Sequence, residues 1–128
     1  MKVLLDTHAV LWWFIDDPKL GKAASDTIRS GANAIHVSAA SAYEITFKHA
    51  RGRLPGFDRL ITNLPRWMEE ERFTPLPVTL HHALHAGRLA NPHGDPFDRI
   101  LIAQAQAEGM ILLSNERAFD SLGVQRIW

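Results

Sequence analysis

The chain has 128 residues, 46% of them hydrophobic and 22% charged, and its 14 basic residues balance 14 acidic ones. This composition indicates one folded domain over residues 1–128 and excludes a disordered chain, while the absence of cysteine excludes disulfides, thiolate zinc sites and cysteine nucleophiles. The longest apolar stretch, Ala9 to Ile15, is too short to span a membrane and follows no basic segment, so we expect a cytoplasmic protein without a membrane anchor.

The predicted elements alternate between short apolar strands and amphipathic helices. A short apolar run between turn residues is typical of a buried strand, and apolar residues spaced three and four apart are typical of a helix that covers it. Ser38 or Ser41 is expected to cap the helix that ends near Ala50. The first half of the chain predicts strands at 3–5 and 34–38, and helices at 8–15, 19–29 and up to residue 50.

The second half continues this alternation. Residues 57–72 predict a helix with an interruption near Pro65, and two prolines place any strand within 73–78 at a sheet edge. Thr79 is the expected cap of a helix that runs through Leu89. The remaining predictions are a loop at 91–96, a helix at 97–108, and strands at 111–113 and 123–127. Strands that alternate with helices predict an α/β fold whose sheet is mostly parallel and covered on both faces.

Four acidic residues stand where these predicted elements begin or end. Asp6 and Glu116 follow two predicted strands, whereas Glu44 and Asp98 lie near the starts of two helices. The carboxyl ends of parallel strands form the usual site of an open α/β sheet, so these acids are expected to converge. Converging carboxylates repel one another and favour a hard divalent cation. A carboxylate-bound Mg²⁺ or Mn²⁺ is the usual means of hydrolysing a phosphodiester.

Each acid also has a structural explanation that needs no function. Asp6 is a common type of helix N-cap, and Glu116 is placed to cap the last short helix. Glu44 is explained as a solvated charge, and Asp98 as an acid that favours the positive end of a helix dipole. The conjunction of the four acids favours a shared site over four separate structural roles.

Several spaced segments resemble the PIN-domain proteins, and in particular the VapC-type toxins of prokaryotic toxin–antitoxin systems. The segments are LLDTHAVLWW at 4–13, SAASAYEI at 38–45 with Lys48, HGDPFDRILIAQA at 93–105, LLSNE at 112–116 and VQRIW at 124–128. The resemblance implies a three-layer α/β/α sandwich with a central, mostly parallel sheet. It further implies an endoribonuclease that depends on Mg²⁺ or Mn²⁺, forms a homodimer and is silenced by a cognate antitoxin.

The resemblance implies catalytic and metal-binding roles for Asp6, Glu44, Asp98 and Glu116. The last of these positions is more often Asp in the family, so Glu116 is either a direct ligand or one that acts through water. Tyr43 stands where the family commonly has Trp.

Two further features of the expected site concern its neighbours. Asp95 competes with Asp98 for the ligand position, and Asp98 is preferred because Asp95-Pro96 is typical of a turn. Thr7 and Ser114 are candidates to orient the carboxylates through hydrogen bonds from their hydroxyl groups.

Basic residues close to the acids are candidate RNA contacts. A local basic rim around an acidic pocket would explain RNA binding by a chain with no net charge. The alternative is that these residues only make a helix end soluble. The candidates are Lys48, Arg51, Arg53 and Arg99.

Other functions compete with this prediction. His81, His82 and His85 have the spacing of metal ligands on a helix, but they lack the accompanying glutamate of a zinc motif, so a partly exposed helix is preferred. The stronger rival is a PIN-fold interaction module that has lost catalysis, which the presence of all four acids disfavours.

Apolar surface for a partner is expected at two places. The consecutive Trp12, Trp13 and Phe14 cannot all be buried by one helix face, and residues 57–68 carry a second apolar stripe. An amphipathic antitoxin helix is expected to dock along one of them.

Overall fold

A five-stranded, all-parallel sheet forms the centre of the protein. The computed structural model describes residues 1–90 and 94–128. The strands are β1 (Lys2–Leu5), β2 (Ala34–Ser38), β3 (Thr74–Leu76), β4 (Ile111–Leu113) and β5 (Arg126–Ile127). Their order is β3-β2-β1-β4-β5, and each neighbouring pair is parallel. The first strand of the chain is therefore the central one, with β2 and β4 on either side.

Helices connect the strands and cover both faces of the sheet. In the described residues they are α1 (Thr7–Phe14), α2 (Lys22–Arg29), α3 (Ala39–Ala50), α4 (Asp58–Glu70), α5 (Leu80–Arg88) and α6 (Pro96–Glu108), with a short 3₁₀ helix at Arg117–Ser121. None of the described helices has the length and apolar character needed to cross a bilayer.

The alternation of side chains along β1 divides the core into two parts. Val3 and Leu5 pack with residues of α1 to α4, whereas Leu4 between them packs with Leu101 and Ile102 of α6. Successive side chains of a strand point to opposite faces, so a central strand that is apolar throughout must be covered twice. This confirms the predicted three-layer α/β/α arrangement.

Most predicted elements are present, and the differences have local causes. The predicted interruption at Pro65 is wrong, because α4 runs continuously through it while Leu64 and Met68 hold the helix against the core. Helix α2 begins three residues later than predicted, since the Asp17 side chain accepts a hydrogen bond from the backbone of Lys19 at 2.9 Å and forms a turn there.

The C-terminal strand is shorter than predicted, and the predicted loop before α6 lies partly outside the described residues. Strand β5 is shorter than the predicted 123–127 and begins at Arg126; Gly123 itself has a φ of 75°, which lies outside the β region. Of the predicted loop at 91–96, Asn91, Pro92 and His93 lie outside the described residues.

The two apolar surfaces predicted for a partner belong mainly to the core of the chain itself. Leu60, Leu64 and Met68 of the stripe on α4 are buried in the core, so only part of this stripe is accessible, and docking of an antitoxin helix there stays a prediction. Trp13 and Phe14 pack against Phe73, with ring centroids 6.2 Å and 5.7 Å apart. The apolar pattern of both segments is present, but most of their side chains pack within the chain itself.

We expect Gly21→Ala to destabilise the protein through its contact with the C-terminal residue. A Cβ at Gly21 would lie 2.9 Å from Cδ1 and 3.0 Å from the carbonyl carbon of Trp128. Such overpacking lowers the free energy of unfolding by about 1–3 kcal/mol, measurable by urea denaturation. Gly31→Ala is the matched control, because a Cβ there meets nothing within 4 Å. Equal stability of the two variants would contradict the packing of Trp128 on α2.

Candidate active site

The four acids predicted from the sequence line one pocket at the carboxyl edge of the sheet. Asp6 follows β1, Glu116 lies beyond the end of β4, Glu44 is on α3 and Asp98 is in the first turn of α6. The pocket has a volume of about 290 Å³. Because β1 and β4 are neighbours in a parallel sheet, the residues after their carboxyl ends are brought together although more than a hundred residues separate them in sequence.

Asp6 is buried, with only 6% of its surface exposed. One carboxylate oxygen accepts a hydrogen bond from the backbone N–H of Ala9 at 2.8 Å, which makes Asp6 the N-cap of α1. The Ser114 hydroxyl also hydrogen-bonds to this carboxylate, and the nearby charge of Asp98 opposes its ionisation. Burial raises the pKa of Asp6 above its ordinary value, and the hydrogen bonds from Ser114 and Ala9 oppose this rise only in part.

Glu44 is buried to a similar degree, with 5% exposed. The Thr7 hydroxyl donates to its Oε1 at 2.6 Å, and Lys48, one helical turn further along α3, forms an ion pair with its Oε2. The explanation of Glu44 as a solvated helix charge is therefore wrong. A buried carboxylate needs such partners, because an unpaired charge in the interior destabilises the fold by roughly several kcal/mol.

The remaining acids combine a structural contact with a place in the pocket. Asp95 caps α6 by accepting hydrogen bonds from the N–H groups of Phe97 at 2.9 Å and Asp98 at 3.2 Å. This contact supports the choice of Asp98 as the ligand, although both residues line the pocket. Glu116 is exposed and caps the 3₁₀ helix through the N–H of Ala118 at 3.2 Å.

The donor set of the pocket fits a hard divalent cation in its chemistry. Carboxylate oxygens are the ligands that Mg²⁺ and Mn²⁺ prefer, and the burial of Asp6 leaves a charge that a cation would stabilise. In residues 1–90 and 94–128, however, no three His, Asp or Glu side chains are arranged so that they could hold a metal ion together. Glu44 is engaged instead with Thr7 and Lys48, which occupy both of its carboxylate oxygens.

Of the four predicted RNA contacts, Lys48 is the one that lines the pocket. The Arg51 guanidinium lies 3.6 Å from the centre of the Phe47 ring, and Arg53 is exposed on the turn that follows α3. Nη2 of Arg99 donates to the carbonyl oxygens of Ala86 at 2.9 Å and Leu89 at 2.8 Å, which anchors it at the end of α5. RNA contact by any of the four stays a prediction.

The pocket has further walls that the sequence reasoning did not identify. Its other lining residues include His8, Trp12, Asn115 and Phe119. The spacing of His8 and Trp12, two and six residues after Asp6, was a usable signal, since residues four apart share one face of a helix.

One histidine of α5 has a structural role. His82 is buried, its Nδ1 accepts a hydrogen bond from the backbone N–H of Thr79 at 3.1 Å, and its Nε2 lies 2.8 Å from Glu108. These contacts cap α5 and join it to α6. They agree with the sequence-based preference for a helix over a zinc site.

Comparisons with known proteins agree with this architecture. The sequence matches the family model of the PIN domain over residues 3–125. It is 29% identical to ribonuclease VapC22 of Mycobacterium tuberculosis over 122 residues, which covers 93% of this chain and 90% of that protein.

Two solved structures share the fold. VapBC2 of Rickettsia felis, solved with a DNA fragment from its promoter, superposes with a TM-score of 0.75 at 14% identity and covers 99% of this chain and 98% of its own. A toxin–antitoxin complex from Klebsiella pneumoniae superposes with a TM-score of 0.63 at 17% identity, covering 98% and 96%.

We expect Asp6→Asn to stabilise the metal-free protein at neutral pH. A carboxyl group whose pKa is raised by folding stabilises the fold fully only below its unfolded pKa of about 3.9, and this contribution is lost as the pH rises through the folded pKa. Asparagine keeps an oxygen for the Ala9 N–H but carries no charge. In EDTA, the urea midpoint of Asp6→Asn should exceed that of the wild type increasingly as the pH rises from about 4 to about 7.

Asp120→Asn is the control of opposite sign for this experiment. Arg126 holds the pKa of Asp120 below its ordinary value, so this aspartate stabilises the fold above its unfolded pKa. The Asp120→Asn variant should therefore be less stable than the wild type at neutral pH.

Millimolar Mg²⁺ or Mn²⁺ should raise the melting temperature of the wild type and leave that of Asp6→Asn nearly unchanged. An Asp6→Asn protein that is no more stable than the wild type at neutral pH would contradict the assigned cost of burying Asp6.

Proposed function

The chain belongs to the PIN domain family, and we propose that it is an endoribonuclease, dependent on Mg²⁺ or Mn²⁺, that acts as the toxin of a toxin–antitoxin pair. The observation that carries this proposal is the buried carboxylate of Asp6 in one pocket with Glu44, Asp98 and Glu116. A buried charge with a raised pKa is typical of a functional site, because a structural cap does not require it.

The relatives support the reaction class and the partner. The similar protein from Mycobacterium tuberculosis is named a ribonuclease, and one of the structures that share the fold is described as a toxin–antitoxin complex. We therefore propose an antitoxin protein, an RNA substrate and a second copy of this chain as partners, and the cytoplasm as the place of action.

The proposed mechanism assigns a task to each group of residues. A bound divalent cation would supply a Lewis acid and a water of lowered pKa. Asp6, Glu44 and Asp98 would hold the cation, while the hydroxyl groups of Ser114 and Thr7 fix the direction of the first two carboxylates.

Two further side chains of the pocket act on the substrate. Lys48 places an ammonium group beside the carboxylates, where it is able to bind an RNA phosphate. Glu116 is exposed and uses one oxygen for the Ala118 N–H, so its other oxygen is the candidate to accept a proton from the attacking water.

We expect the purified protein to cut single-stranded RNA in Mg²⁺ or Mn²⁺ and to stop when EDTA is added. Asp98→Asn should lower the rate more than about a hundredfold, since even residues that only orient a metal ligand contribute about 10–100-fold. Asp26→Asn is the matched control, because Asp26 is an exposed acid of α2 outside the pocket. The fluorescence of a quenched oligoribonucleotide measures the rate. Folded protein without EDTA-sensitive cleavage would favour the catalytically silent interaction module.

We also expect a homodimer at micromolar concentration. Leu80 and Leu84 lie one helical turn apart on α5 and are 78% and 48% exposed, which leaves apolar surface suited to a second copy. Size-exclusion chromatography with light scattering should report a dimer for the wild type and for Ala23→Glu, an exposed alanine on α2, and a monomer for Leu80→Glu. A monomeric wild type would refute the dimer without affecting the nuclease proposal.

A further inference from the structure

Two aromatic rings of α1 stack on each other at the acidic pocket. The ring centroids of His8 and Trp12 are 5.3 Å apart, and their planes differ by 29°. The two residues lie four apart in the helix, so the imidazole and the indole are successive layers on one face. Both line the pocket that contains the four acids.

The indole of Trp12 is held in place from other directions. Trp128 meets it edge-on, with centroids 5.7 Å apart and planes at 65°, and Nζ of Lys19 lies 5.9 Å from the ring centre. Trp12 is half-buried, whereas His8 is exposed. Since one face of the imidazole packs on Trp12, the exposed part of His8 lies away from that contact, at the end of the stack.

His8 lies beside the carboxylates of the proposed RNA cleavage site. His8 follows Asp6 by two residues and lies close enough to it to lower the pKa of the Asp6 carboxyl group. A phosphodiester placed at the carboxylates would bring its neighbouring bases to the walls of the same pocket, and the imidazole is part of these walls. An unstacked base of single-stranded RNA is a flat apolar surface that proteins bind on aromatic side chains.

We propose that His8, positioned by Trp12, is a stacking platform for the nucleobase next to the phosphodiester that is cut. This inference deepens the proposed nuclease function and rests on it. Stacking on a π face is available to every base, so the platform contributes affinity and position for single-stranded RNA without selecting a sequence. The ring nitrogens of His8 are not required for this contact.

Substitutions at His8 separate stacking from hydrogen bonding or proton transfer. In an Asp98→Asn background, which is expected to cut more than about a hundredfold more slowly, binding of a fluorescein-labelled single-stranded oligoribonucleotide is followed by fluorescence anisotropy. His8→Ala should weaken binding about tenfold, whereas His8→Phe, which keeps a flat ring, should stay within about twofold of the parent. An RNA duplex of the same sequence should show no difference between the variants, since its bases are already stacked.

His81→Ala is the matched control, because His81 is also an exposed histidine that stacks on the residue four positions later in its helix. Its ring lies 6.4 Å from that of His85 on α5, and it does not line the acidic pocket. This variant should bind RNA like the parent. Melting temperatures of all variants establish that each is folded.

The possible results distinguish the platform from the nuclease itself. If the wild type cuts RNA and His8→Ala binds as well as the parent, the platform is refuted and the nuclease stands. If His8→Phe is as weak as His8→Ala, the imidazole acts through its nitrogen atoms and the platform is again refuted. If the folded wild type neither cuts nor binds RNA, both proposals fail.

Discussion

The Asp6 carboxylate serves three roles at once, and its burial in the pocket is the energetically costly one. It ends the central strand, it caps α1 through the Ala9 N–H, and it brings a carboxylate into a pocket where burial raises its pKa. A serine or an asparagine would cap the helix without the cost of dehydrating a charge, so capping alone does not explain an acid here. The hydrogen bond from Ser114 offsets part of this cost, and it exists because β4 lies beside β1. The strand order is therefore a condition for the site as well as for the core.

Charge is balanced locally in this protein, in line with its formal net charge of zero. Glu44 is buried, but it is not an unpaired charge, because Lys48 and Thr7 satisfy both of its oxygens. The same contacts stabilise the buried carboxylate in the folded chain. Because the ammonium group of Lys48 neutralises one of the charges, the pocket is less negative than its four acids suggest.

The sequence predicted the fold wherever local pattern and tertiary packing agree. Strands β2 and β4 have the predicted bounds, and the caps at Asp6 and Thr79 were recognisable from residue type. The prediction failed at Pro65, because the buried residues on either side stabilise a continuous helix despite one missing hydrogen bond. For the apolar stripe of α4 the pattern indicated burial correctly, but a pattern does not say whether the burying surface belongs to the same chain.

For the candidate site, the sequence by itself determined the types of side chain that are available: four acids, with hydroxyl groups beside two of them. It placed Glu44 near the start of a helix, whereas Glu44 lies in the middle of α3. Only the tertiary structure decided which groups meet. It brought Ser114 to Asp6 and Thr7 to Glu44, engaged Asp95 as a cap, anchored Arg99 at the end of α5, and placed His8 and Trp12 in the wall of the pocket. The physical reason is that a residue's type and its local pattern are properties of a few neighbouring residues, whereas burial, pKa and ring stacking arise between segments that are distant in sequence.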